Sequence, residues 1–190
     1  SSPAKAVIES GRVALWFAKP EETKALVDQY ESLLSHDEYE RYQAINLPDF
    51  RLAYLVSRVL LRCALSHYFS AKPDEWRVSR NEFGKPVLSD EHQLAVRFNT
   101  AHTEGLSVCA ISVDTDIGVD VECYTGSEGY MELAEQHFSD IEFADLNSRP
   151  AEEQAESFFK YWTLKESYIK AKGQGTSSVP LKSFSFRFAD

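Results

Sequence analysis

The spacing of apolar residues divides this chain into a helical stretch, a stretch of short strands, and then the same order again. An apolar run at 12–18 reads as a first strand, and residues 21–34 have helical composition. Ser35-His36-Asp37-Glu38 has the S-x-x-E form of a capping box, in which serine and glutamate satisfy opposite orphan amides at a helix start. It opens a short helix to about Asn46, ended by Pro48. Asp49 can cap the next helix, which runs to about Phe69. There Leu52, Leu55, Val56, Val59, Leu60, Cys63 and Ala64 recur at three and four, so one stripe is buried, while Arg51, Arg58 and Arg62 project at other angles.

The period then shifts to two. Trp76, Val78 and Val87 fall in short strands broken by a turn over 81–86. Residues 95–99, 106–112 and 117–122 are further strand candidates, and Asp114-Thr115-Asp116 predicts a hairpin between the last two. A helix at 131–136 follows, then a second capping box at Ser139-Asp140-Ile141-Glu142, then a long helix over 152–172 with Gly173 as its C′ residue. Phe184, Phe186 and Phe188 alternate in 182–188, which reads as a half-buried strand. The helix-then-sheet order occurring twice predicts an α+β fold of two similar lobes, 1–113 and 114–190, with no sequence repeat between them.

Composition narrows the function. With 43% hydrophobic residues in 190, the chain can bury a real core. A formal charge of −10 argues against general nucleic-acid binding, although it leaves room for a local basic pocket. No charged-then-apolar leader and no run of about 18 apolar residues is present, so the expectation is a soluble cytoplasmic protein without a membrane partner. Cys63, Cys109 and Cys123 lack ligand spacing and read as buried small hydrophobes in a reducing compartment.

The candidate chemistry lies in four segments. On a strand, Asp120 and Glu122 share a face while Val119 and Val121 point inward. Two adjacent carboxylates repel unless a cation or a proton lies between them, and magnesium takes such oxygen ligands. A solvated strand end explains the same pair. Glu166 and Lys170 stand at i and i+4 on the last helix, with Trp162 one turn earlier on the same face and Lys165 about 100° away from Glu166. A surface salt bridge is the alternative there, set against a partly desolvated site beside the tryptophan. Phe98-Asn99-Thr100-Ala101-His102-Thr103 ends a strand in a group of donors suited to phosphate, and Lys85 sits at a turn tip. A lone satisfied histidine and a solvated turn lysine are the plainer readings of these two.

Taken in order, Asn-x-Phe-Gly-Lys-Pro, Phe-Asn-x-x-His, Gly-Val-Asp-Val-Glu and Trp-x-x-Lys-Glu-x-x-x-Lys-x-x-Gly-x-Gly resemble the motif series of the 4′-phosphopantetheinyl transferases. The likeness is to the larger, surfactin-synthetase-activating (Sfp-type) class. It runs from about Leu34 to Phe188 and includes 137–143.

The resemblance implies a fold of two pseudo-symmetric lobes, each a small antiparallel sheet packed with helices, with the site in the cleft between them. It implies transfer of the phosphopantetheine arm of coenzyme A to a carrier-protein serine, with release of 3′,5′-adenosine bisphosphate. Asp120, Glu122 and Glu166 would hold magnesium. Glu166 would take the serine proton, directly or through a metal-bound water, and Lys170 would neutralise the pyrophosphate and leaving group. Lys85 and His102 match positions that bind coenzyme A phosphates, with Arg41 and Arg51 as further candidates at the 3′-phosphate. The partners are coenzyme A and an acyl or peptidyl carrier protein, and a monomer suffices. In the family a serine usually precedes the histidine; here it is Ala101, for which Thr100 or Thr103 can supply a hydroxyl. Family members also commonly continue past the position of Asp190, so the second lobe is expected to lack its final strands. The alternatives are a coenzyme A- or carrier-binding member without turnover and an unrelated magnesium-dependent phosphohydrolase.

Overall fold

The computed structural model describes residues 6–124, 128–173 and 179–188. Strand β1 (Val13–Ala18) leads through a short 3-10 turn into α1 (Val27–Glu31) and α2 (His36–Ala44). The predicted capping box is formed at α2: Ser35 Oγ accepts the Glu38 amide and Glu38 accepts the Ser35 amide. Helix α3 (Pro48–Tyr68) crosses the middle of this half.

Helix α3 is buried on more than one stripe. One side, through Leu60, Leu61, Ala64 and Leu65, packs on the sheet residues Val96, Phe98, Cys109 and Ile111 and on Trp76. Another side, through Leu55 and Val59, packs on Tyr42 and the side chains of Val27, Tyr30, Leu33 and Leu34. Enclosure between two layers buries Ser57, Arg58 and Arg62 as well, positions that a single apolar stripe leaves outside. Cys63, placed in the stripe by its spacing, is exposed, as is Cys123; only Cys109 is a buried thiol, pushed up to about 12 by that burial.

The sheet has the order β1-β5-β4, with β4 (Val96–Thr103) and β5 (Leu106–Val113) forming a hairpin and β1 lying antiparallel on the far side of β5. A separate ribbon pairs β2 (Val78–Arg80) with β3 (Pro86–Leu88) across the expected turn. Helices α4 (Tyr130–His137), α5 (Asp140–Ser148) and α6 (Ala151–Lys172) follow. Ala134, Phe138, Leu146, Phe158 and Tyr161 make their core. The second capping box is formed at Ser139, and Gly173 ends α6 in the left-handed conformation, with φ of 68°.

The architecture is the expected mixture of helices and antiparallel sheet. Two strand assignments need correction. Residues 117–122 and 184–188 run without ladder pairing among the described residues, so the hairpin across 114–116 does not form. Asp114 takes a left-handed φ of 58° and turns the chain off β5, and its amide closes on the Ala95 carbonyl at 2.9 Å. The extended segments satisfy amides with side chains: Val119 N–H donates to Asn99 Oδ1 at 2.9 Å, and Phe186 N–H donates to Glu142 Oε1 at 2.8 Å. No helix among the described residues is long and apolar enough to cross a membrane.

Candidate active site

The segment after Asp114 is brought against α6 by a glycine. A Cβ on Gly118 would run into the Ser167 carbonyl oxygen and the Ala171 amide nitrogen, and would lie 3.0 Å from the Lys170 carbonyl carbon. Only a residue without a side chain permits that approach. It sets Asp120 beside the last two turns of α6, where Lys170 Nζ donates to Asp120 Oδ1 at 2.5 Å.

The turn between β2 and β3 closes on the same helix end. Asn81 Oδ1 accepts the amides of Phe83 and Lys85, at 3.0 and 2.8 Å, while its Nδ2 donates to the Gly173 carbonyl at 3.0 Å. Lys85 then reaches across, donating to the carbonyls of Ile117 and Ala171 at 3.2 Å each. These acceptors are neutral, and burial pushes the Lys85 ammonium down, with Asp116 opposing and Arg97 adding to the shift. Lys85, Asn99, Thr100, Glu166 and Lys170 line one hollow of about 300 Å³, with Phe83 at its edge.

Three carboxylates share the electrostatics of this place. Burial pushes Glu166 up, Lys170 opposes, and the charges of Asp120 and Glu122 push it further up. Burial also raises Glu122, Asp120 adds to the shift, and Lys170 and a hydrogen bond from Trp162 oppose it. Asp120 Oδ2 is buried with no hydrogen-bond partner among the described residues. An orphaned carboxylate oxygen beside two mutually repelling carboxyls is a donor set suited to a hard cation. The three are coupled rather than gathered: among the described residues no three acidic, histidine or cysteine groups close on one point as a metal cluster.

The other predicted residues lie further out. His102 is half-buried on β4; burial, then Arg58 and Lys170, push its imidazole down. Thr103 faces a smaller hollow of about 160 Å³ with Leu47, Pro48 and Phe50. Arg51 donates from Nε to the Ile45 carbonyl at 2.7 Å with its guanidinium over the Tyr42 ring, and Arg41 is exposed on α2. None of these four lines the hollow between Lys85 and Lys170.

Residues 116–190 match the model of the 4′-phosphopantetheinyl transferase superfamily, and 16–114 match that of the 4′-phosphopantetheinyl transferase N-terminal region. The chain belongs to the 4′-phosphopantetheinyl transferase family. Among curated relatives it is 30% identical to the 4′-phosphopantetheinyl transferase HetI of Nostoc sp., covering 93% of this chain and 75% of that one. It is 32% identical to the 4′-phosphopantetheinyl transferase Sfp of Bacillus subtilis, over 81% and 71%. It is 35% identical to the 4′-phosphopantetheinyl transferase gsp of Aneurinibacillus migulanus, over 82% of this chain and 63% of that relative.

Within the family frame, several contributors escaped the sequence reading. Asn81, Asn99 and Gly118 lie inside the recognised motifs, yet their work is to dock one backbone against another. Lys165, adjacent to Glu166, is fully buried and bound to Glu142 Oε2 at 2.6 Å and to the carbonyls of Leu181 and Phe184 at 2.8 and 2.7 Å. A signal for it was present. Phe158, Tyr161, Lys165 and Ile169 recur at three and four, which puts the lysine on the core stripe.

Proposed function

We propose that this protein moves the 4′-phosphopantetheine arm of coenzyme A onto a serine of an acyl or peptidyl carrier protein, releasing 3′,5′-ADP. The observation that carries the reading is the Asp120–Lys170 ion pair, whose charges act on the exposed Glu122 and the half-buried Glu166, at a hollow that Lys85 also enters. Asp120, Glu122 and Glu166 would hold a magnesium ion, which when bound neutralises charge on the pyrophosphate. The serine oxygen forms a bond to the phosphorus that carries the pantetheine arm, and the bond from that phosphorus to the oxygen of 3′,5′-ADP breaks. Glu166 accepts the serine proton, directly or through a water. Lys170 and Lys85 offset the charge on pyrophosphate and leaving group. His102, Thr103, Arg41 and Arg51 serve the remaining phosphate contacts from the rim.

The chain is read as two lobes, 1–113 and 114–190, a division supported by family models that meet between 114 and 116. A cytoplasmic monomer acting away from nucleic acid and membranes accords with the charge of −10. The test is intact-mass spectrometry of an apo carrier protein incubated with this protein, coenzyme A and magnesium. A mass gain of one phosphopantetheine that disappears with Glu166→Ala, and on chelation, is the expected result. Coenzyme A binding without any gain on several carriers would move the reading to a member without turnover.

A further inference from the structure

We propose that Arg58 is a positioning residue for phosphate recognition, its guanidinium fixing the Thr100 hydroxyl as a donor aimed into the hollow between Lys85 and Lys170. The inference rests on the coenzyme A reading above.

The starting observation is a buried cation with no carboxylate of its own. Arg58 is 7% exposed, yet it packs one helical turn from Arg62, and the nearby carboxylate, Glu38, is engaged by Arg62. Arg62 takes both Glu38 oxygens, Nη1 to Oε1 at 3.2 Å and Nη2 to Oε2 at 2.6 Å. Arg58 is left with neutral partners. Its Nη2 donates to Thr100 Oγ1 at 2.5 Å and to Ser57 Oγ at 3.1 Å, and its guanidinium lies over the Tyr54 ring at 5.4 Å. Its Nε has no partner among the described residues. Two guanidiniums sharing one carboxylate leave one positive charge uncompensated inside the protein, a costly arrangement that an anion nearby relieves.

Thr100 connects that charge to the hollow. Its side chain is on the α3 side of β4 and also lines the hollow with Lys85, Glu166 and Lys170. A hydroxyl oxygen that accepts from a cation turns its own hydrogen away, so the Thr100 proton is directed away from Arg58 and is polarised by it. A pre-aimed donor is what phosphate recognition needs, and Ala101 supplies none. His102 lies two residues along on the same face of β4, close enough for the Arg58 charge to push its imidazole down after burial. The cation therefore acts on two phosphate-facing groups without reaching the ligand itself.

The test is steady-state transfer to an apo carrier protein at varied coenzyme A, for wild type, Arg58→Met, Thr100→Val, Thr100→Ser and the Arg58→Met/Thr100→Val double variant. Each of Arg58→Met and Thr100→Val should raise KM for coenzyme A about tenfold, the loss of one charge-assisted donor, with kcat little changed. The double variant should be no worse than the worse single, because both changes remove the same donor. Thr100→Ser should keep the wild-type KM. Should Arg58→Met fail to fold, the two Thr100 variants decide alone. Additive losses, a wild-type KM in Thr100→Val, or a fall in kcat at constant KM would overturn the proposal. Wild-type protein that binds no coenzyme A by calorimetry would instead overturn the coenzyme A reading, and the proposal with it.

Discussion

The helix pairs α2/α3 and α5/α6 are built on one device used to different ends. Each begins with a capping box, Ser35 with Glu38 and Ser139 with Glu142. In each, the glutamate of the box is withdrawn from water and paired with a buried cation on the long helix that follows, Arg62 at 2.6 Å and Lys165 at 2.6 Å. The remaining partners differ. Arg62 directs its fork at Glu38 and the Arg58 carbonyl, all within the helical layer. Lys165 gives two of its protons to the carbonyls of Leu181 and Phe184, and the second oxygen of Glu142 accepts the Phe186 amide. In the first half, ladders satisfy the strand backbone and the ion pair joins helices. In the second, the described residues after α6 have no ladder, and the ion pair itself takes up their backbone groups. The same chemistry thus serves as a brace in one half and as a substitute for sheet pairing in the other.

That contrast is broken most severely at Lys165. Replacing it with Met leaves Glu142 buried at 0% exposure without its cation and strips two carbonyls of their donor. A loss of about 3–5 kcal/mol in chemical denaturation is expected. The Phe186 amide should lose hydrogen-exchange protection before those of β4 and β5. A loss under about 1 kcal/mol would mean that the segment is held by its phenylalanines alone. Transfer activity should fall in step, because Glu166 is the next residue on α6.

The second test turns on solvent. Glu38 keeps 11% of its side chain exposed where Glu142 keeps none, so Glu38→Gln is expected to cost about 2 kcal/mol near neutral pH. Burial alone would push the Glu38 carboxyl up, but the Arg62 charge and its hydrogen bonds, with the Ser35 amide, hold it below its ordinary value of 4.5. A carboxyl lowered in the fold binds protons more readily in the unfolded chain, so its contribution is complete above 4.5 and is lost as pH falls through the folded value. The stability gap between wild type and Glu38→Gln should therefore close on acidification. A gap unchanged from about pH 7 to about pH 3 would detach Glu38 from Arg62.

Legibility followed the range of the interaction. Capping boxes and the C′ glycine are written within a few residues and form as expected, whereas the period of α3 shows one buried stripe where two layers enclose the helix, with Arg58 and Arg62 inside and Cys63 outside. Alternation at 117–122 and 182–188 reports which side chains face inward, but it cannot report whether a neighbouring strand exists; side-chain acceptors on Asn99 and Glu142 took that place. Glu166 and Lys170 of α6, singled out by their spacing, line one hollow with Lys85. Arg58 was not legible, because a charged residue inside a helical pattern reads as solvent-facing until the second layer that covers it is known, and the charge of Lys165 masks a spacing with Phe158, Tyr161 and Ile169 that puts it on the core stripe. For Arg58 that layer includes β4, where Thr100 accepts from its guanidinium; for Lys165 it is the turn and chain at 181–184.

The finest comparison is between the two capping serines. Ser35→Ala removes one acceptor for the Glu38 amide, at 3.3 Å, and should cost about 1 kcal/mol, the usual worth of an N-cap. Ser139 accepts from the Glu142 amide at 3.4 Å, but its hydroxyl also donates to Glu142 Oε2 at 2.9 Å and accepts from Ser185 at 2.8 Å. It is therefore tied to the ion pair and to the chain that the ion pair holds. Ser139→Ala should exceed Ser35→Ala by roughly half a kcal/mol in matched denaturant titrations. The excess should vanish in a Lys165→Met background, where the pair it supports is already lost. Equal costs in both backgrounds would reduce Ser139 to a cap like any other, with no share in the ion pair.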